Sequence, residues 1–204
     1  CIAAGAENMG NVPLIASAAG TRWGSRLGPV VLEDVLFELG YSRKGFAPVA
    51  TDAGYVAQEY GVSREKQDEW ALASHMKYFA ALHAGKFQLG EEMMRLEIAQ
   101  KKEPIVLERD ESPRENLSME KMAALKTVYG SPTVTAGNAP GLNSGASAIV
   151  IMSRKKAESL GLKVLGTIEA CEVGAGSPKY MACIPAQTIE KMFAKAGVTI
   201  DDMD

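Results

Sequence analysis

The stretch Thr133 to Met152, TVTAGNAPGLNSGASAIVIM, constrains this chain more than any other. It opens on alternating Thr133, Val134 and Thr135 and closes on the apolar run Ala146 to Met152. That pattern predicts an extended strand, a glycine-rich turn and a buried strand. Between the strands, Gly137, Gly141 and Gly145 permit positive φ or close backbone approach, Asn138 and Asn143 tolerate the left-handed region, and Pro140 fixes its own φ. So restricted a loop either shapes a pocket or only turns the chain, and residue types alone leave both open.

The 204 residues, 47% hydrophobic and 23% charged, suit a core-forming chain of one or two domains. A net charge of −3 and a pI near 5.6 give no basic field, which argues against nucleic acid or an anionic membrane surface as partner. No apolar run reaches the ~18 residues of a membrane-spanning helix. The opening CIAAGAENMG lacks the charged and apolar regions of a signal peptide. Three cysteines without CxxC spacing predict neither a disulfide framework nor a zinc site, and a reducing cytoplasm is the expected compartment. The chain starts without methionine in an apolar run and stops at Asp204 where a strand is expected next, so both ends look cut.

Taken in order, Cys1 to Gly5 reads as a strand, and Asn11 to Tyr41 as loop and short helices with a modest helical pattern at Val31, Val35 and Leu39. Ala53, Val56, Ala57 and Tyr60 share a helix face, with Thr51 or Asp52 as N-cap and Gly61 as stop. Ser63 caps a longer helix carrying Leu72, Met76, Phe79 and Ala80, with Glu65 in its first turn and Gly85 beyond its end. Pro104 to Leu107 alternates as a strand within a charged segment expected to form a solvated edge. SRKKAESLG predicts a short polar helix ended by Gly161, Val164 to Val173 a strand, and Pro185 to Gly197 a final amphipathic helix. The alternation indicates an α/β architecture with a mostly helical insertion between Asn11 and Thr133.

TVTAGNAPGLNSGASA resembles the TVTAGNASGxNDGAAA signature of the thiolases, which join or split acyl-CoA thioesters at a 3-oxoacyl carbon. CIAAGAENMGNVP is similar to that family's IIAGGMESMSxxP, VSREKQDEWALAS to ISREEQDxFAxxS, LSMEKMAALKTVY to TLExLAxLKPxF, and PKYMACIPAQTIEKMFAKAG to PxxMGxGPxxAxxKxLxxAG. The resemblance spans almost the entire chain but about half of a whole thiolase. It implies a layered α/β thiolase fold in four parts: residues 1–12 ending the N-terminal half, 13–132 an inserted loop domain, 133–162 the returning strand and helix, and 163–204 opening the C-terminal half.

By the same resemblance, coenzyme A is a substrate and no permanent cofactor is expected. Arg114 stands where many thiolases set an arginine against adenine, a planar cation stacking for roughly 0.5–2 kcal/mol. Tyr129 closes the segment facing the nucleotide. Ala136, Gly137, Ala139, Pro140 and Gly141 form the loop over which pantetheine lies, and Met181 matches the methionine lining the acyl channel. Departures occur at Pro48 and Val49 for a histidine and methionine, Pro140 for serine, Ser144 for aspartate, and Ala182, Cys183 and Ile184 around a GxG. The resemblance also implies a homodimer or homotetramer.

Acyl transfer requires a thiolate nucleophile, a base and donors for the thioester oxygen. Cys1 sits at a strand position, Cys171 reads as a buried small apolar residue, and Cys183 precedes a helix start where the dipole favours a thiolate. His75 and His83, eight residues apart, do not form HExxH, and Glu91 and Glu92 read as solvated. In thiolases the nucleophile precedes this segment, and the NEAF asparagine, GHP histidine and second cysteine follow it. Hence no catalytic or metal-binding residue is assigned here, and the segment alone is expected to bind rather than catalyse. Two other readings are a noncatalytic CoA-binding or subunit-interaction module, and one chain of a split thiolase completed by a partner.

Overall fold

The computed structural model describes residues 1–24, 27–37, 47–91 and 93–203. They divide into one unit of residues 1–56 with 142–204 and another of residues 57–141.

In the first unit, β1 (Ile2–Asn8) pairs antiparallel with β6 (Ser144–Val150), from Ile2 against Val150 to Asn8 against Ser144. The strand following the glycine loop was expected to be buried, yet every residue of both strands is exposed, Val150 at 68%. The pair is a two-stranded ribbon, and burial needs a second layer rather than an apolar sequence alone. Between Asn11 and Tyr41, where loop and short helices were expected, β2 (Leu14–Ala16) pairs antiparallel with β3 (Leu32–Asp34), and α1 (Ala18–Thr21) is a single turn. Leu39 of the expected helical pattern lies outside the described residues.

Helix α2 (Val49–Glu59) starts earlier than either expected cap, because the Pro48 carbonyl accepts the N–H groups of Thr51 and Asp52. Gly61, at φ 66°, ends it as expected, while Tyr60 is 62% exposed rather than part of an apolar face. Later, α5 (Arg154–Ser159) is capped by Ser153 and followed by Gly161 at φ 65°. Helix α6 (Ile184–Ala196) has Pro185 in its first turn and closes on Gly197 at φ 71°. Val164 to Val173 forms no strand, since a strand exists only with a hydrogen-bonded neighbour and none lies beside it among the described residues. Cys171 is consequently exposed rather than buried.

The second unit is built on α3 (Arg64–His83). Ser63 Oγ accepts the Lys66 N–H at 3.3 Å, and Gly85 beyond the last turn has φ 66°. The short strands β4 (Leu96–Ile98) and β5 (Ile105–Leu107) pair antiparallel, with Arg95 facing Glu97 and Glu108 at an exposed edge. Helix α4 (Met119–Ala123), capped by Ser118, packs against α3. Phe79, Met122 and Val134 are buried. Among the described residues, no helix is long and apolar enough to cross a membrane.

The N-terminus of α3 generates a stability prediction. Glu65 is held below its ordinary 4.5, first by its own backbone N–H and then by the Ser63 hydroxyl. A depressed carboxyl stabilises above its unfolded value, and that contribution disappears as pH falls through the folded value. Ser63→Ala removes the cap bond to the Lys66 N–H and is expected to cost about 1 kcal/mol at neutral pH. Urea unfolding should also show the gap between variant and parent narrowing below pH 4.5 as Glu65 protonates.

Candidate functional site

The glycine loop is entered through a strained turn. Tyr129 and Gly130 have φ 51° and 72°, and the Ser131 N–H donates to Val128 O at 2.9 Å, as in a type I′ turn. Tyr129 is the sole non-glycine residue with positive φ among the described residues, a conformation costing about 1–3 kcal/mol. Ser131 Oγ next accepts the N–H groups of Thr133 and Val134 at 3.4 and 3.1 Å, and Val128 N–H donates to Val134 O. These local bonds use the donors that a ladder would need. The expected strand Thr133 to Thr135 is therefore reduced to one antiparallel bridge between Thr127 and Thr135.

Asn138 then locks the loop. Its Oδ1 accepts the Thr135 N–H at 2.8 Å, while its Nδ2 donates to Thr133 O at 3.3 Å and to Asp68 Oδ1 at 2.9 Å. Thr135 Oγ1 accepts the Gly137 N–H, and Thr135 O accepts the N–H groups of Asn138 and Ala139. Asp68 is only 2% exposed, and its Oδ2 accepts from Arg64 Nε at 2.7 Å. The Arg64 guanidinium also donates through Nη2 to Met122 O at 2.8 Å and Leu125 O at 3.2 Å. One buried carboxylate thus ties together α3, the end of α4 and the glycine loop.

Packing fixes the loop from the other side. A Cβ at Gly137 would lie 2.6 Å from Leu125 Cδ1 and 2.8 Å from Met122 Sδ, and Met122 is wholly buried. Glycine leaves this space to the ends of the Leu125 and Met122 side chains, which a larger residue would force to shift. Ala136, Pro140 and Gly141 are exposed, and Gly137 and Ala139 are half-buried. The anchoring atoms lie inside while the rim faces solvent.

Of the other residues singled out in the sequence, Tyr129 belongs to the entry turn and Arg114 is exposed, its backbone N–H donating to His75 Nδ1 at 3.2 Å. Met181 belongs to the other unit, where it follows the 3-10 turn Pro178–Tyr180 and is 52% exposed. Cys183 occupies the N-cap of α6 without a side-chain capping bond. His83 Nε2 is 3.4 Å from Glu115 Oε1, so both histidines of α3 face the segment 114–115. Sequence reasoning missed Arg64 and Asp68 and assigned Asn138 a backbone role only. The available signal was the i, i+4 spacing of Arg64 and Asp68 on a helix preceding an asparagine-containing loop.

Residues 1–155 match the family described as Thiolase, N-terminal domain. An acetyl-CoA acetyltransferase of Cupriavidus necator is 37% identical over 209 residues, covering 100% of this chain and 51% of its own length. The acetyl-CoA acetyltransferase of Escherichia coli is 36% identical over 206 residues, with the same coverage of each chain. Among solved structures, the Bacillus anthracis acetyl-CoA acetyltransferase superposes with a TM-score of 0.87 at 32% identity, over 100% of this chain and 51% of that one. Human mitochondrial 3-ketoacyl-CoA thiolase gives 0.82 at 32% identity, with the same coverage. A mixed α/β chain with this glycine loop and these matches belongs to the thiolase family, and it spans about half the length of the curated relatives it matches.

Two substitutions test the site's construction. Asp68→Asn leaves the half-buried Arg64 without its counter-charge and is expected to destabilise by about 3–5 kcal/mol. Gly137→Ala overpacks Leu125 and Met122 and is expected to cost about 1–3 kcal/mol. Denaturant midpoints of both variants against the parent provide the check, and parental midpoints would show that the clasp does not support the fold.

Proposed function

We propose that the full-length protein carrying this chain is a CoA-dependent acyltransferase. It would thiolyse 3-oxoacyl-CoA or run the reverse Claisen condensation through an acyl-cysteine intermediate. The supporting observation is the loop 133–145, which matches the family signature and combines buried anchors at Thr135 and Asp68 with an exposed rim at Ala136, Pro140 and Gly141. On this reading, the rim lies under pantetheine, Arg114 and Tyr129 face the nucleotide, and Met181 lines the acyl channel.

The chemistry divides accordingly. Residues 13–132 act as the inserted loop domain, and the segment holds CoA while the nucleophile, base and oxyanion donors come from outside it. His75 and His83 fit this division, since both are engaged with residues 114 and 115. A rigid loop contributes by losing little freedom when the ligand binds, which preserves affinity without adding contacts. Assembly as a dimer or tetramer belongs to the same reading.

Pro140 offers the sharpest local test, since it has neither the hydroxyl nor the N–H of the serine common at this position. Pro140→Ser should add one hydrogen bond and tighten CoA binding about fivefold, read by calorimetry. The whole reading is tested by assaying the full-length protein for CoA-dependent cleavage of acetoacetyl-CoA and longer 3-oxoacyl-CoA esters. Turnover of any of them supports it, and failure with all of them rejects it.

A further inference from the structure

We infer that His75 is a positioning residue for nucleotide binding, holding Arg114 through its backbone, an inference that rests on the assignment of Arg114 to the CoA nucleotide. His75 is half-buried on α3, and its Nδ1 accepts the Arg114 N–H across a separation of 39 residues. Acceptance at Nδ1 requires a neutral ring with its proton on Nε2. The bond acts on the main chain, so it fixes where the Arg114 side chain begins while leaving the guanidinium available. A long cation on an unanchored segment must be ordered when it binds, which weakens the complex.

His83 touches the next residue but carries less of the effect. Its 3.4 Å pair with Glu115 has side chains 65% and 51% exposed, and exposed pairs contribute little. The two contacts lie eight residues apart on α3, roughly 12 Å along the axis. Both contacts tie the segment 114–115 to the helix, and the bond from His75, made to the main chain, is the one that fixes the Arg114 backbone.

The experiment uses the full-length protein and four variants: His75→Ala, His75→Asn, His83→Ala and Arg114→Ala. Asparagine keeps an acceptor near the Nδ1 position while removing the ring. Hydrogen exchange reads protection of the Arg114 amide, and calorimetry reads binding of CoA, adenosine 3′,5′-bisphosphate and pantetheine separately. In the expected result, His75→Ala exposes the Arg114 amide and weakens CoA and the bisphosphate about fivefold. Pantetheine binding stays at the parental level, His75→Asn restores both readouts, and His83→Ala changes neither. If Arg114→Ala weakens the bisphosphate but His75→Ala leaves the amide protected or the affinity unchanged, positioning by His75 is wrong. If Arg114→Ala itself leaves nucleotide affinity intact, the nucleotide assignment of Arg114 is wrong and the inference falls with it. Equal losses for pantetheine and the bisphosphate in His75→Ala, without rescue by asparagine, also overturn it by showing a general structural defect.

Discussion

A carboxylate that is 2% exposed tolerates its surroundings only if each oxygen has a partner, and Asp68 has Arg64 on one and Asn138 on the other. The second unit depends on this arrangement. Arg64 carries the contact onward to the carbonyls of Met122 and Leu125, while Asn138 carries it into the glycine loop. A carboxylate bridging two hydrogen-bonding partners gives direction as well as energy, since displacement of either leaves a buried group unsatisfied. The loop therefore keeps one shape relative to α3 and α4.

Relative magnitudes explain why a strained turn persists next to it. Holding Tyr129 at φ 51° costs about 1–3 kcal/mol, whereas breaking a buried ion pair costs about 3–5. The clasp fixes the loop on one side of the turn, α4 restricts its approach on the other, and the turn adopts what remains. Gly137 meets the same demand differently, by giving up a side chain so that Leu125 and Met122 can close over it. Close approach recurs in the other unit, where a Cβ at Gly174 would meet Thr188 and one at Gly176 would meet Ile184.

Helices were legible where their signals are local. Ser63, Ser153, Gly161 and Gly197 mark ends of α3, α5 and α6 using information within four residues, and the structure places caps or left-handed closures there. Strands were less legible because their partners are distant in sequence. Nothing in Leu14–Ala16 announces Leu32–Asp34, and Val164 to Val173 has strand composition without a neighbour. The glycine loop could be recognised as a motif, but its supports could not. Asp68 sits in SREKQDEW between Glu65 and Glu69, and only the fold separates one buried carboxylate from its solvated neighbours.

The register of β1 on β6 also has an entropic consequence. Ser144 Oγ donates to Asn8 Oδ1 across 136 residues, so forming the ribbon from a disordered chain closes a long loop at a cost of roughly 4 kcal/mol. A two-stranded ribbon exposed on both faces returns little burial to offset that cost. The Asn138–Asp68 contact spans only 70 residues and sits in an interior that buries Met122 and Thr135. Closing the shorter loop costs about 0.6 kcal/mol less, so the larger difference between the two contacts is the burial that surrounds Asn138 and Asp68 and is missing from the ribbon.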